Sequence, residues 1–219
     1  MSRITGRWAF ATVGLAAGFS GMAVLATILT GGPLLVFQVS FVGFAAAAVA
    51  AVAYRSSRPV VLEVLRVTRA GFIAGGAATV VYDVTRATLS VFDPSPYNPF
   101  EAIRQFGLAV LPEGASRVSV MLAGGGIHLL NGSTFGVIYA IAGGRHASTT
   151  RGALGSGILW GLTLELIMSI VYPGWLNITA LFREFLLISA LGHLAYGATL
   201  GLGTHRLLWR NRNHAEAGT

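Results

Sequence analysis

His128-Leu129-Leu130-Asn131-Gly132-Ser133-Thr134-Phe135-Gly136-Val137 returns, altered, as His193-Leu194-Ala195-Tyr196-Gly197-Ala198-Thr199-Leu200-Gly201-Leu202. The histidine, the leucine after it, both glycines and the threonine coincide. Each copy lies inside an apolar run long enough to cross a bilayer, where an ionisable side chain is costly and marks a function or a dedicated partner.

The similarity extends upstream. Thr68-Arg69-Ala70-Gly71-Phe72-Ile73-Ala74-Gly75 aligns with Thr150-Arg151-Gly152-Ala153-Leu154-Gly155-Ser156-Gly157, and continuing without a gap sets Asp83 opposite Glu165. The unit is a helical hairpin: an arginine, a glycine-rich ascent, a carboxylate, an outer connection, and a descent bearing the histidine. One copy covers 68–142 and the other 150–206. Both run in the same sense, so they read as tandem parallel repeats about an axis along the membrane normal. The hairpin at 8–54 has neither carboxylate nor histidine and reads as a support or a degenerate copy.

Composition agrees with a membrane protein. Of 219 residues, 54% are hydrophobic and 11% charged, more apolar surface than a soluble chain of this length buries. There is no cysteine, which excludes disulfides, thiolate metal ligation and cysteine nucleophiles. The net charge of +7 comes from arginines in short loops, where they act as topology signals rather than a nucleic-acid surface. Roughly 20 apolar residues cross a bilayer core, and six such runs are predicted at about 8–30, 34–54, 70–92, 117–142, 152–172 and 183–206. The expected fold is all-α: one polytopic membrane domain over 1–219, with six transmembrane helices and a tail at 207–219. The first run follows two arginines but is too long for a signal-peptide core, so it reads as a retained helix.

Arginine placement orients the chain. Arg3, Arg7, Arg55, Arg58, Arg66, Arg69, Arg145, Arg151, Arg206, Arg210 and Arg212 fall on one side, against Arg104, Arg117 and Arg183 on the other. Both termini are therefore expected in the cytoplasm of a bacterial cell, with the chain in the inner membrane. A short interfacial helix is expected around Arg58–Arg69. The long outer connection, 93–116, has a helix start at Asn98-Pro99-Phe100-Glu101 and apolar residues at Phe100, Ile103, Phe106 and Val110, which suggests a helix lying on the membrane surface. Trp175 is expected to anchor at the interface.

Counted from the outer ends of their spans, Asp83, His128, Glu165 and His193 all lie roughly 10–17 Å deep. Asn131 and Tyr196, each three residues after a histidine, share its helix face, and Arg86 lies one turn from Asp83. These seven residues form the candidate site, and three chemistries fit it. A proton or ion relay would use histidines that titrate near physiological pH beside buried carboxylates, giving proton-linked transport or sensing of a solute. A divalent metal would suit two imidazoles and two carboxylates, with His128 and His193 as the nitrogen ligands. A b-type haem would use the same two histidines as axial ligands in a membrane redox subunit. Against all three stands a structural joint, in which the stripes Gly132/Gly136 and Gly197/Gly201 bring helices together and a bonded histidine glues them; such stripes also serve homo-oligomers or membrane-protein partners. No nucleotide-binding loop, serine nucleophile motif or metalloprotease motif points to an enzyme.

The glycine-histidine-leucine on the last helix, the following Arg206-Leu207-Leu208-Trp209-Arg210-Asn211-Arg212, and the ascent Ala70-Gly71-Phe72-Ile73-Ala74-Gly75-Gly76-Ala77-Ala78-Thr79 together resemble the YagU-like family of bacterial inner-membrane proteins over spans three to six. The resemblance implies an inner-membrane role linked to acid tolerance, which would suit a histidine/carboxylate proton site.

Overall fold

The computed structural model describes residues 4–216, with side chains to Trp209. Arg3 lies outside the described residues, as do the side chains of Arg210, Arg212 and His214. Among the described residues seven α-helices form: α1 (Gly6–Thr30), α2 (Leu34–Arg55), α3 (Arg58–Val91), α4 (Glu101–Leu108), α5 (Arg117–Ala142), α6 (Thr150–Trp175) and α7 (Phe182–Glu216). No strand occurs among the described residues.

Local chemistry sets the boundaries. α1 stops at Gly31, whose φ of 68° is a left-handed conformation that glycine adopts without a steric penalty, and Pro33 then starts α2. The Ser116 and Thr149 side chains accept from the Ser119 and Gly152 backbone N–H groups and so cap α5 and α6. Instead of a separate interfacial helix near Arg58, α3 runs unbroken for 34 residues. Nothing in 58–69 breaks a helix beyond Pro59 in its first turn, where proline is tolerated. Its polar side chains also find partners within the bundle: Arg66 pairs with Glu63 at 2.6 Å and donates to the Leu208 carbonyl at 3.0 Å.

Five helices (α1, α2, α3, α6 and α7) are each long and apolar enough to cross a membrane. The 26-residue α5 is long enough, but His128, Asn131, Ser133, Thr134 and its glycines make it less apolar. The neighbours follow the order α2, α1, α5, α3, α7, α6. A twofold relation between the α3/α5 and α6/α7 pairs would require α6 to lie along α5 as α3 lies along α7. Instead α3 packs closely on α7, with Gly192 against Tyr82 and Arg86 and Gly203 against Ala74, whereas α5 reaches α6 through the long Tyr139 side chain. The hairpins therefore stand in file and not about a shared twofold axis.

Two backbone seams hold the file together. A Cβ on Gly75 would lie 2.5 Å from the Gly132 carbonyl oxygen and 3.0 Å from the Gly136 Cα, so α3 and α5 touch backbone to backbone. A Cβ on Gly157 would overlap the Gly197 carbonyl and lie 2.8 Å from the Gly201 Cα, so α6 and α7 meet in the same way.

The connection 93–116 forms the expected helix, α4, which docks onto α5 and buries Ile103 and Phe106, because Gly107 and Gly124 leave no room for side chains where α4 and α5 cross. Trp175 stacks on Phe106 at 5.6 Å. Phe106 thus gains a buried aromatic contact that an exposed interfacial ring would lack.

Candidate functional site

The four ionisable residues come together as two pairs. His128 Nε2 on α5 lies 3.1 Å from Asp83 Oδ1 on α3, and His193 Nδ1 on α7 lies 2.7 Å from Glu165 Oε2 on α6. Each pair thus bridges the two helices of one hairpin, just above its glycine seam. The environments differ. Side-chain exposure is 9% and 6% for His193 and Glu165, against 19% and 27% for His128 and Asp83.

Tyr82, beside Asp83 on α3, connects the pairs. Its ring lies 5.9 Å from that of His128 and 4.7 Å, edge-on, from that of His193. Its hydroxyl is 3.5 Å from Ser189 Oγ, which donates to Glu165 Oε2 at 2.6 Å. Tyr82, Ser189, Glu165 and His193 form a hydrogen-bonded chain, completed by contacts of His193 Nδ1 to the Ser189 Oγ and carbonyl at 3.4 and 3.1 Å. Neither Tyr82 nor Ser189 was singled out by the sequence. Both were legible by position, since Tyr82 adjoins Asp83 and Ser189 lies one turn before His193.

Arg86 is 4% exposed and reaches Asp83 at 3.8 Å, as its one-turn spacing suggested. It also donates to the Pro99 carbonyl and, at 3.5 Å, to the Tyr97 hydroxyl, and its guanidinium stands 4.6 Å from the Tyr82 ring centre. The arginine therefore ties the 97–99 segment before α4 to the carboxylate layer. Tyr97 itself packs against Phe185, and burial pushes its phenol pKa up.

Asn131 and Tyr196 serve as links between helices. Asn131 Oδ1 accepts from Ser20 Oγ on α1 at 2.5 Å, and Ser20 Oγ accepts from Gln38 on α2 at 3.2 Å, so the first hairpin joins the polar layer without a charge of its own. Tyr196 donates to the Gly132 carbonyl at 2.8 Å, fastening α7 to α5.

A cavity of about 290 Å³ adjoins this layer. His128, Asn131, His193, Tyr196, Tyr82 and Arg86 all contribute to its wall, while α1 and α6 supply apolar side chains. Asp83 and Glu165 stand behind their histidines. A carboxylate accepts hydrogen bonds, so the bonded nitrogen of each ring carries hydrogen, leaving His128 Nδ1 and His193 Nε2 with no partner among the described residues.

This geometry bears on the metal and haem chemistries. Among the described residues no three histidine or carboxylate groups gather as a metal site requires, because each carboxylate is bound to its own imidazole. A bis-histidine haem needs both free imidazole nitrogens aimed at one iron from opposite faces, and Tyr82 occupies the space against both rings. The donor set fits neither group. His146 bonds Arg145 and His205 the Ala147 carbonyl, both at the end remote from α4.

No protein-family model matches the chain, and neither a characterised protein nor a solved structure matches it significantly.

Proposed function

We propose that this is a bacterial inner-membrane protein in which all six long helices cross the bilayer, both termini lie in the cytoplasm, and the two histidine/carboxylate pairs hold and pass protons in step with a bound solute, as a transporter or sensor does. The observation that carries this reading is that both pairs close within hydrogen-bond distance, at aligned positions of two hairpins, with both imidazoles on one cavity. The matched seams at Gly75/Gly132 and Gly157/Gly197 support reading the hairpins as tandem repeats. The enclosure of α5 by α1, α3 and α4 supports its crossing despite its polar residues, since these face protein and not lipid.

Charge counting supports proton carriage. Arg86 is one positive charge against the carboxylates of Asp83 and Glu165, and an uncompensated charge at this depth costs about 3 kcal/mol or more. One proton on the histidine pairs balances the set, and gaining or losing it changes the net charge of a buried layer. Ser189 and the Tyr82 hydroxyl extend the hydrogen-bonded chain of the second pair toward the first, which Tyr82 meets through its ring. The resemblance to YagU-like proteins, with its implied link to acid tolerance, points the same way.

The test is a proton flux measurement in vesicles carrying an internal pH dye under an imposed pH gradient. Wild-type protein is expected to collapse the gradient faster than empty vesicles, and His128→Ala with His193→Ala to return it to the empty-vesicle rate while circular dichroism stays helical. A double variant that keeps the wild-type rate and merely melts earlier would show the pairs to be a structural joint.

A further inference from the structure

The cavity differs from a solute pathway in where it opens. Toward α4 the wall is formed by Tyr97, Asn98, Pro99, Ile103 and Phe106, of which only Asn98 is exposed, with Phe106 stacked on Trp175. Two lining residues, Met22 on α1 and Ile167 on α6, are instead 51% and 45% exposed on the apolar outer surface of the bundle. Few residues of α1 and α6 meet, so the gap between these two helices is an apolar mouth, on the face of the bundle that lipid would cover. A molecule entering there comes from the bilayer.

The wall then narrows the ligand class. Beyond the mouth, Leu25, Ile28, Leu164 and Met168 are apolar, and the polar groups stand at the far side. There His193, 7% exposed, presents an unpartnered Nε2, and His128 presents an unpartnered Nδ1 from a second helix. With one proton shared between the pairs, one of these two nitrogens donates and the other accepts, which suits a head with an acceptor oxygen that can meet either imidazole. Phe135, Tyr82 and Tyr172 add aromatic rings to the wall, which suits a flat head. About 290 Å³ is at the small end for ligand sites, enough for one ring system and too little for a phospholipid, so a longer tail must remain outside in the bilayer. Finally, one proton already neutralises Arg86, Asp83, Glu165 and the histidines, so a charged head would unbalance the layer whereas a neutral one would not.

We infer that the cavity is a binding site for a neutral, bilayer-dissolved quinone, whose ring enters between α1 and α6, accepts a hydrogen bond at one carbonyl oxygen from whichever of His128 and His193 carries the proton, and leaves its tail in the lipid. A quinone oxygen only accepts hydrogen bonds, and the cavity-facing nitrogen of a neutral histidine has no hydrogen to give, so the contact requires the proton on a histidine and the site couples ligand to proton. The inference rests on the proton-holding role proposed for the same residues.

Full-length protein in quinone-free nanodiscs is titrated with decylubiquinone, following quenching of tryptophan fluorescence, with palmitate and dodecane as an anionic and a head-less competitor. Saturable quenching is expected, displaced by neither competitor, and weakened at least tenfold by His193→Gln with His128→Gln and by Met22→Phe with Ile167→Phe. The last two positions face lipid, so these replacements narrow the mouth without disturbing the core. Quenching that rises linearly and equally in all variants, as partition into the disc would give, overturns the site. Displacement by palmitate at equal concentration overturns the neutral head. The two proposals fail separately: histidine-dependent proton flux with linear quenching removes the quinone and keeps the proton role, and saturable quenching with histidine-independent flux does the reverse.

Discussion

The α3/α5 hairpin and the α6/α7 hairpin share a backbone seam and an acid–histidine pair, and they differ in what surrounds the pair. At the register that aligns the two histidines, Gly124 of α5 stands opposite Ser189 of α7. In α5 the missing side chain lets α4 cross directly over the helix, and in α7 the serine hydroxyl bonds Glu165. At the register that aligns Asp83 with Glu165, Tyr82 and Arg86 of α3 stand opposite Leu164 and Met168 of α6. The first hairpin thus carries the connecting tyrosine and the arginine, under a helical cover, with its pair partly open. The second buries its pair beneath a short turn. A shared scaffold with unequal surroundings separates what the seam requires, which is glycine, from what each pair requires, which differs.

The largest effects should come from the seams. Gly75→Leu and Gly157→Leu each drive a side chain into the facing backbone and are expected to cost about 3 kcal/mol or more, read as loss of monodisperse protein in size-exclusion chromatography. Gly125→Leu on α5 and Gly155→Leu on α6 meet open space within the same two hairpins and should elute as wild type. If one seam variant folds normally while the other collapses, the two seams are not equivalent and the hairpins lose their common basis.

Next come the pairs. In double-mutant cycles on thermal stability, Glu165 with His193 should couple by about 1.5 kcal/mol, and Asp83 with His128 by about 0.5 kcal/mol, since burial strengthens a polar contact and the open pair shares its carboxylate with Arg86. Equal couplings would mean that exposure does not distinguish the pairs. Ser189→Ala is expected to lower stability by about 1 kcal/mol, because Glu165 loses its hydroxyl donor while keeping the imidazole. Gly124→Ser, the reciprocal change, should cost more, since its Cβ would overlap the Ile103 carbonyl and lift α4 away. A harmless Gly124→Ser would show that the α4 cover is not held by that crossing.

How far the sequence led follows from which contacts are periodic. The helices, the seams and the pairing of Asp83 with His128 and Glu165 with His193 were legible because each depends on spacing along one helix or on a repeat that doubles the signal. The file-like packing was not, because a repeat fixes what is alike in two units and leaves open which outer faces meet. Gly192 and Gly203, the residues that let α7 lie on α3, fall outside the repeated decapeptide. The docking of α4 escaped for a similar reason. Its apolar face at Ile103 and Phe106 fits a membrane surface as well as a protein groove, and Gly107 and Gly124 decide between them only once they are known to face each other.

The smallest expected effect concerns the cover itself. Glu101 bonds Arg104 at 2.6 Å and Gln105 at 2.8 Å within the first turns of α4, and the hydrogen bond from Arg104 holds the Glu101 carboxyl below its ordinary pKa near 4.5. A carboxyl whose folded pKa is depressed stabilises the fold fully above its unfolded value, and that contribution disappears as pH falls through the lower folded value. Arg104 is well exposed, so solvent screening leaves the pair about 0.5 kcal/mol at most. Hydrogen exchange of α4 amides should therefore quicken by no more than about twofold between pH 6 and pH 3.5 after correction for intrinsic rates, and Glu101→Gln should remove the pH dependence. A much larger acceleration that survives Glu101→Gln would place the pH-sensitive hold on α4 deeper, where Arg86 grips the Pro99 carbonyl beside Asp83. The cover of the first hairpin would then be governed by its acid–histidine pair, a link for which the second hairpin, with Met168 in place of an arginine, has no counterpart.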